Sequence, residues 1–135
     1  MLFKHFFMDK NNWIYACKAT DMPHNGGVCV QYGTEQIALY YFTHRNEWYA
    51  TQNLCPHKKQ MALSRGMLGS QQGEPKVACP FHKKTFSLKN GQCLNDEACS
   101  SIKTYPVKVQ EGNIFINIET LLTPHSSTPI EYEPQ

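Results

Sequence analysis

The chain has 135 residues, 41% of them hydrophobic and 18% charged, with a formal net charge of +2 at pH 7. This length suits one domain that buries about two thirds of its unfolded surface, so folding needs no disulfide staples. No apolar run reaches the ~18 residues of a membrane-spanning helix, and the apolar patch in MLFKHFFMDKNN is too short for a signal-peptide core and has no small-residue cleavage site after it, so a cytoplasmic protein is expected.

In chain order, almost every predicted element is a strand. Met8 offers a second possible start, which would make the residues before it a floppy extension. WIYACKA (13–19) is the first strand-like run, followed by GVCVQYG (27–33) and QIALYYF (36–42), which are rich in branched and aromatic residues. EWYATQN (47–53) follows a turn at THRN, and QNLCPHKKQMALSRG (52–66) has room for one helical turn. PKVAC (75–79) and TFSL (85–88) come next, and Asn90-Gly91 is the strongest short hairpin signal because both residues tolerate positive φ. TYPVKVQ (104–110) and NIFINIE (113–119) alternate across EGN as a last hairpin. Short strands at close intervals predict an all-β fold of small antiparallel sheets, a sandwich or barrel. Residues 10–119 are expected to form the domain, with 1–9 an extension and 120–135, rich in Pro, Ser and Thr, a mobile tail.

Six cysteines are present, at 17, 29, 55, 79, 93 and 99. Cys17, Cys29, Cys93 and Cys99 lie in apolar, strand-like surroundings and are expected to be packing residues. The other two stand in CPHKK and CPFHKK, giving Cys55-x-His57 and, after 21 intervening residues, Cys79-x-x-His82, each cysteine followed by proline. Either pair alone is weak evidence. Both together, each with its proline, arise by chance well under roughly once in a thousand such chains. Proline fixes φ and donates no hydrogen bond, so it stiffens the turn just past each thiol.

Two thiolates and two imidazoles suit zinc or a mixed-ligand iron–sulfur cluster. Zinc fingers group Cys with Cys and His with His, whereas here each loop offers one of each. That arrangement suits a two-iron cluster gripped from both sides, with the imidazoles at the exposed tip. The remaining histidines (His5, His24, His44, His125) sit in turn-like contexts and read as ordinary surface residues.

Charge is regional. Residues 55–89 carry Lys58, Lys59, Arg65, Lys76, Lys83, Lys84 and Lys89 against Glu74 alone, a net +6 within a chain of +2. The block is either a solvated lysine face or a docking surface for an acidic partner. Nucleic acid is not indicated: aromatic interleaving is sparse, the pI is only ≈ 8.2, and no nucleic-acid-binding signature appears.

The two loops resemble the Rieske [2Fe–2S] signature C-x-H…C-x-x-H, and the likeness runs from about Trp13 to Ile118. The resemblance implies a Rieske-type fold with a cluster-binding part at about 53–94, the [2Fe–2S] cluster as cofactor, and Cys55, His57, Cys79 and His82 as its ligands. High-potential members carry a further cysteine in each loop and a glycine after the last histidine. Gln60, Phe81 and Lys83 stand there instead, which implies the disulfide-free, low-potential branch. More narrowly, LSRG, GEPKVACP and HKKTFSL within 63–94 resemble the small subunits of assimilatory NAD(P)H-dependent nitrite reductase. That likeness implies an electron-transfer subunit, not catalytic alone, serving a large subunit that bears FAD, a [4Fe–4S] cluster and sirohaem and reduces nitrite to ammonia. A free-standing Rieske ferredoxin serving an oxygenase and a zinc-bound structural module are the alternatives.

Overall fold

The computed structural model describes residues 2–4, 11–57, 59–81, 83–95 and 99–122. Among them the chain is nearly all strand. β1 (Leu2–Lys4), β2 (Trp13–Lys18), β3 (Gly26–Tyr32), β4 (Glu35–Phe42) and β5 (Glu47–Gln52) come first. They are followed by β6 (Leu54–Cys55), β7 (Gln60–Met61), β8 (Met67–Gln71), β9 (Glu74–Ala78) and β10 (Thr85–Ser87). β11 (Thr104–Tyr105), β12 (Val107–Gln110), β13 (Asn113–Asn117) and one helical turn, α1 (Glu119–Leu122), close the described part. A five-stranded sheet runs β1-β3-β4-β5-β11, and three-stranded sheets run β12-β13-β2 and β10-β9-β8. β6 and β7 form a separate hairpin.

β4 organises the molecule. Its sequence, EQIALYYF, is apolar at nearly every position, as befits a strand covered on both faces. Strand periodicity sends Ile37 and Leu39 to one side, into a core with Ile14, Val30, Ile114, Ile116 and Ile118. Ala38, Tyr40 and Phe42 point to the other side, into a second core with Cys55, Leu63, Val77, Cys79, Phe86 and Ile102. The first core closes the sandwich of the five-stranded sheet against β12-β13-β2. The second core seats the hairpins that carry the Cys/His pairs. Each fully buried Ile or Leu contributes about 1.5–3 kcal/mol, so both cores are substantial.

Several expectations need amendment. The start of the chain is not wholly floppy: Leu2–Lys4 runs parallel to β3, Leu2 opposite Cys29 and Lys4 opposite Gln31. β8 has no signal in the sequence, because MLGSQ has little strand character of its own. It forms by pairing with β9 from Met67↔Ala78 to Gln71↔Glu74, across a turn in which Gln72 and Gly73 both take positive φ (52° and 84°). At Asn90-Gly91 only Gly91 has positive φ, and the chain returns on β10 through the single bridge Phe86↔Cys93. The helical turn expected in 52–66 is a 3-10 turn at Leu63–Arg65. The expected tail falls largely outside the described residues, although its first residues form α1.

None of the six cysteines is in a disulfide. Cys17 is buried in the first core, Cys93 and Cys99 pack against the second, and Cys29 is half-buried. Burial, with a smaller push from Asp21, raises the Cys17 thiol from its ordinary 9.0 to about 12. Burial and then Glu35 raise the Tyr105 hydroxyl from 10.0 to about 12. The folded chain therefore keeps protons that the unfolded chain releases. Stability should be intact below pH 9 and fall as the pH climbs towards about 12. Denaturant titrations on either side of that window check this, and identical midpoints would contradict it.

Candidate cluster site

The first loop is the β6–β7 hairpin. Cys55 pairs with Gln60 across it, with Pro56, His57 and Lys59 at the tip. Its base is locked by Asn53, which is only 2% exposed. The Asn53 carbonyl accepts the amides of Ala62 and Leu63, both at 3.0 Å. Its side-chain oxygen accepts the Ser64 amide at 2.7 Å, and its amide nitrogen donates to Gln36 Oε1 at 2.9 Å. A buried carboxamide satisfied at both ends holds its surroundings firmly, because any shift would orphan a polar group. The Tyr40 hydroxyl adds a bond to the Leu63 carbonyl at 2.8 Å.

The second loop joins β9 to β10. The Cys79 amide donates to the Lys84 carbonyl at 2.8 Å, and the Lys83 amide donates to the Cys79 carbonyl at 2.9 Å. The two loops are built alike. Each opens on Cys-Pro and pairs its cysteine with the residue five positions on (Gln60, Lys84). Each also places a lysine in the left-handed region four positions after the cysteine, Lys59 at φ 56° and Lys83 at φ 60°. Lys83 occupies the position where high-potential Rieske proteins carry glycine, and its backbone has the conformation glycine would supply.

Cys55 and Cys79 are 0% and 1% exposed and belong to the same apolar core. Tyr40 shares that core with Cys79, and burial pushes its hydroxyl up while the bond to Thr51 opposes this. His57 lies exposed at the tip of the first loop, while His82 lies outside the described residues. Among the described residues no three His, Cys, Asp or Glu side chains gather into a metal-holding group. Beside Cys79 a cleft of about 610 Å³ is lined by Arg65, Gly66, Met67, Ala78, Pro80, Lys83 and Thr85. The Arg65 guanidinium stands 5.6 Å from the centre of the Phe81 ring, which is 51% exposed.

This donor set fits a Rieske cluster. It offers two soft sulfurs on a dry floor, equivalently placed in matched loops, and an imidazole on the solvent side. The same donors are compatible with zinc, so geometry alone does not choose.

Comparison with known proteins does. The chain belongs to the Rieske-like [2Fe–2S] domain family, whose profile matches residues 12–117. It is 36% identical over 102 residues to the nitrite reductase (NADH) small subunit of Escherichia coli, covering 76% of this chain and 94% of that one. The solution structure of the nitrite reductase [NAD(P)H] small subunit from Erwinia carotovora superposes with a TM-score of 0.68 at 31% identity, covering 92% of each chain. Within the family, therefore, the chain stands with the nitrite reductase small subunits. A third relative is the nitrite reductase [NAD(P)H] large subunit of Klebsiella oxytoca, 35% identical over 111 residues, covering 82% of this chain and 11% of the relative. The cofactor is accordingly a Rieske [2Fe–2S] cluster, and the all-β fold of small antiparallel sheets matches the family.

Sequence reasoning missed Asn53 and Tyr40. Both sit in strand-like runs, and nothing local distinguishes an asparagine that clamps a buried turn from one that faces water.

Proposed function

We propose that Cys55, His57, Cys79 and His82 hold the [2Fe–2S] cluster and that the chain carries single electrons for a nitrite reductase whose chemistry lies on a large subunit. The observation that carries the reading is the pair of buried thiols at equivalent places in two matched loops, within a chain that stands among the nitrite reductase small subunits. When bound, such a cluster supplies reversible one-electron chemistry at a potential above that of all-cysteine clusters, about −150 to +300 mV. The chain's own residues do the rest. Cys55 and Cys79 offer sulfur from the apolar floor, where water is excluded. His57 offers nitrogen from the solvent side, where a partner can approach.

Reduction of nitrite to ammonia takes six electrons and a site that binds the substrate. A small domain that passes one electron at a time supplies neither by itself, so catalysis belongs to a partner. That partner is a large subunit bearing FAD, a [4Fe–4S] cluster and sirohaem, as the resemblance implies. Six cysteines without a disulfide suit the reducing cytoplasm, where NAD(P)H is available, and among the described residues no helix is long and apolar enough to cross a membrane. Co-purification tests the assignment: a sirohaem-containing large subunit should come with the tagged chain. Recovery with an oxygenase instead would favour the ferredoxin reading.

Lys59, Lys83 and Arg65 are exposed; Arg65 stands over the Phe81 ring, and Arg65, Lys83 and Met67 line the cleft beside Cys79, with Phe81 and Met67 51% and 77% exposed. Exposed apolar side chains beside exposed cations suit an acidic docking partner. Lys59→Glu with Lys83→Glu is expected to slow association with the large subunit by roughly tenfold or more at low salt, the deficit shrinking as salt screens the field. Stopped-flow kinetics across ionic strength check this; an unchanged rate would show that the face is merely solvated. Adding Lys58 and Lys84 to the reversal should deepen the effect.

A further inference from the structure

We propose that Asn95 is a positioning residue for the second loop: by holding the Lys83 carbonyl it keeps Lys83 left-handed and so fixes the exit of the loop that opens on Cys79. The inference rests on the reading of the second loop as a cluster-binding loop and adds to it a residue from outside both loops.

The geometry is specific. Asn95 Nδ2 donates to the Lys83 carbonyl at 3.0 Å, and the Thr85 hydroxyl donates to the same oxygen at 3.3 Å. Asn95 Oδ1 accepts the Thr85 amide at 3.3 Å. One carboxamide thus grips both sides of the exit from the loop. It is itself anchored, because the Leu94 amide donates to the Thr85 carbonyl at 2.7 Å and the Ser87 amide to the Gln92 carbonyl at 2.9 Å.

Something must hold Lys83 where it is. A residue with a Cβ is disfavoured in the left-handed region by roughly tenfold, yet Lys83 has φ 60°. Its own amide is tied to the Cys79 carbonyl and its own carbonyl to Asn95, so the peptide groups on both sides are fixed. Without Asn95 only the longer bond from the Thr85 hydroxyl holds that carbonyl, so Lys83 can relax to right-handed backbone and the loop that opens on Cys79 loses its fixed exit.

The test uses the cluster-loaded full chain. Asn95→Ala removes the whole grip. Asn95→Asp keeps an acceptor for the Thr85 amide but sets a carboxylate oxygen, with its charge, against the Lys83 carbonyl in place of the donor. Both should alter the electron paramagnetic resonance spectrum of the reduced protein, which senses ligand orientation, and speed iron release to a chelator by about fivefold to tenfold, as loss of one hydrogen bond of ordinary strength would. Adding Lys83→Gly to Asn95→Ala should restore the wild-type spectrum, since glycine takes positive φ unaided. Lys83→Gly alone should leave that spectrum unchanged. A wild-type spectrum and release rate in both Asn95 variants would overturn the proposal, as would failure of Lys83→Gly to rescue. Failure of the ligand reading would show separately, as a His82→Ala chain that keeps the wild-type spectrum.

Discussion

Replacing Cys79 by serine is expected to abolish the cluster while leaving the chain folded. The sulfur is 1% exposed and lies in the second core beside Tyr40 and Phe86. Serine nearly matches it in size, so no cavity opens. The buried hydroxyl costs about 1–3 kcal/mol if it finds no partner, which a domain of this size survives. What is lost is the soft donor that iron–sulfur chemistry requires. Cys17→Ser is the control. Cys17 is equally hidden, 2% exposed, but in the first core across β4. It should lower stability by a similar amount and keep the visible spectrum intact. If Cys79→Ser retained the spectrum, or Cys17→Ser lost it while still folded, the division of labour between the two cores would be wrong.

Gly91→Ala is expected to be the most damaging single methyl in the chain. A Cβ at that position would stand 2.0 Å from the Ile102 carbonyl oxygen and 3.0 Å from its carbon. The backbone cannot yield easily, because the Gly91 amide donates to Ser87 and its carbonyl accepts from Ile102, both at 2.8 Å. The φ of 80° adds its own penalty of about 1–2 kcal/mol. Together, clash and conformation should cost about 3 kcal/mol or more. Ile102 belongs to the core that holds both thiols, so the loss should appear as weaker cluster retention as well as a lower denaturation midpoint. Gly33→Ala separates the two causes: φ there is 61° but nothing lies within 4 Å, so only the conformational part should be seen. Equal losses at the two sites would mean that the close approach of Ile102 is not what demands glycine.

The sequence made the sandwich legible because its strands carry their pattern locally. QIALYYF reads as a strand covered on both faces, and the alternation of TYPVKVQ and NIFINIE reads as a hairpin with one face inward. β8 was illegible because its strand state comes from its partner β9. β1 was hidden because three residues pairing with the edge of β3 leave no periodic signature. The ligand pairs stood out because two soft donors, two imidazoles and two prolines recur at fixed spacing. The clamps did not, because Asn53 and Asn95 act through backbone groups that the fold brings to them. Their partners lie at Ser64 and Gln36 for the first and at Lys83 and Thr85 for the second. The likeness of the two loops was only half visible: Cys-Pro could be read, but the left-handed lysine four places on could not.

Elemental analysis of the anaerobically purified chain, with its visible spectrum, tests the central claim most directly. Iron and acid-labile sulfide should each approach about two per chain, as a [2Fe–2S] centre requires, with zinc at background, and all iron should vanish from the Cys55→Ser, Cys79→Ser double variant. About one zinc per chain with no sulfide, the signature of a closed tetrahedral structural site, would contradict it.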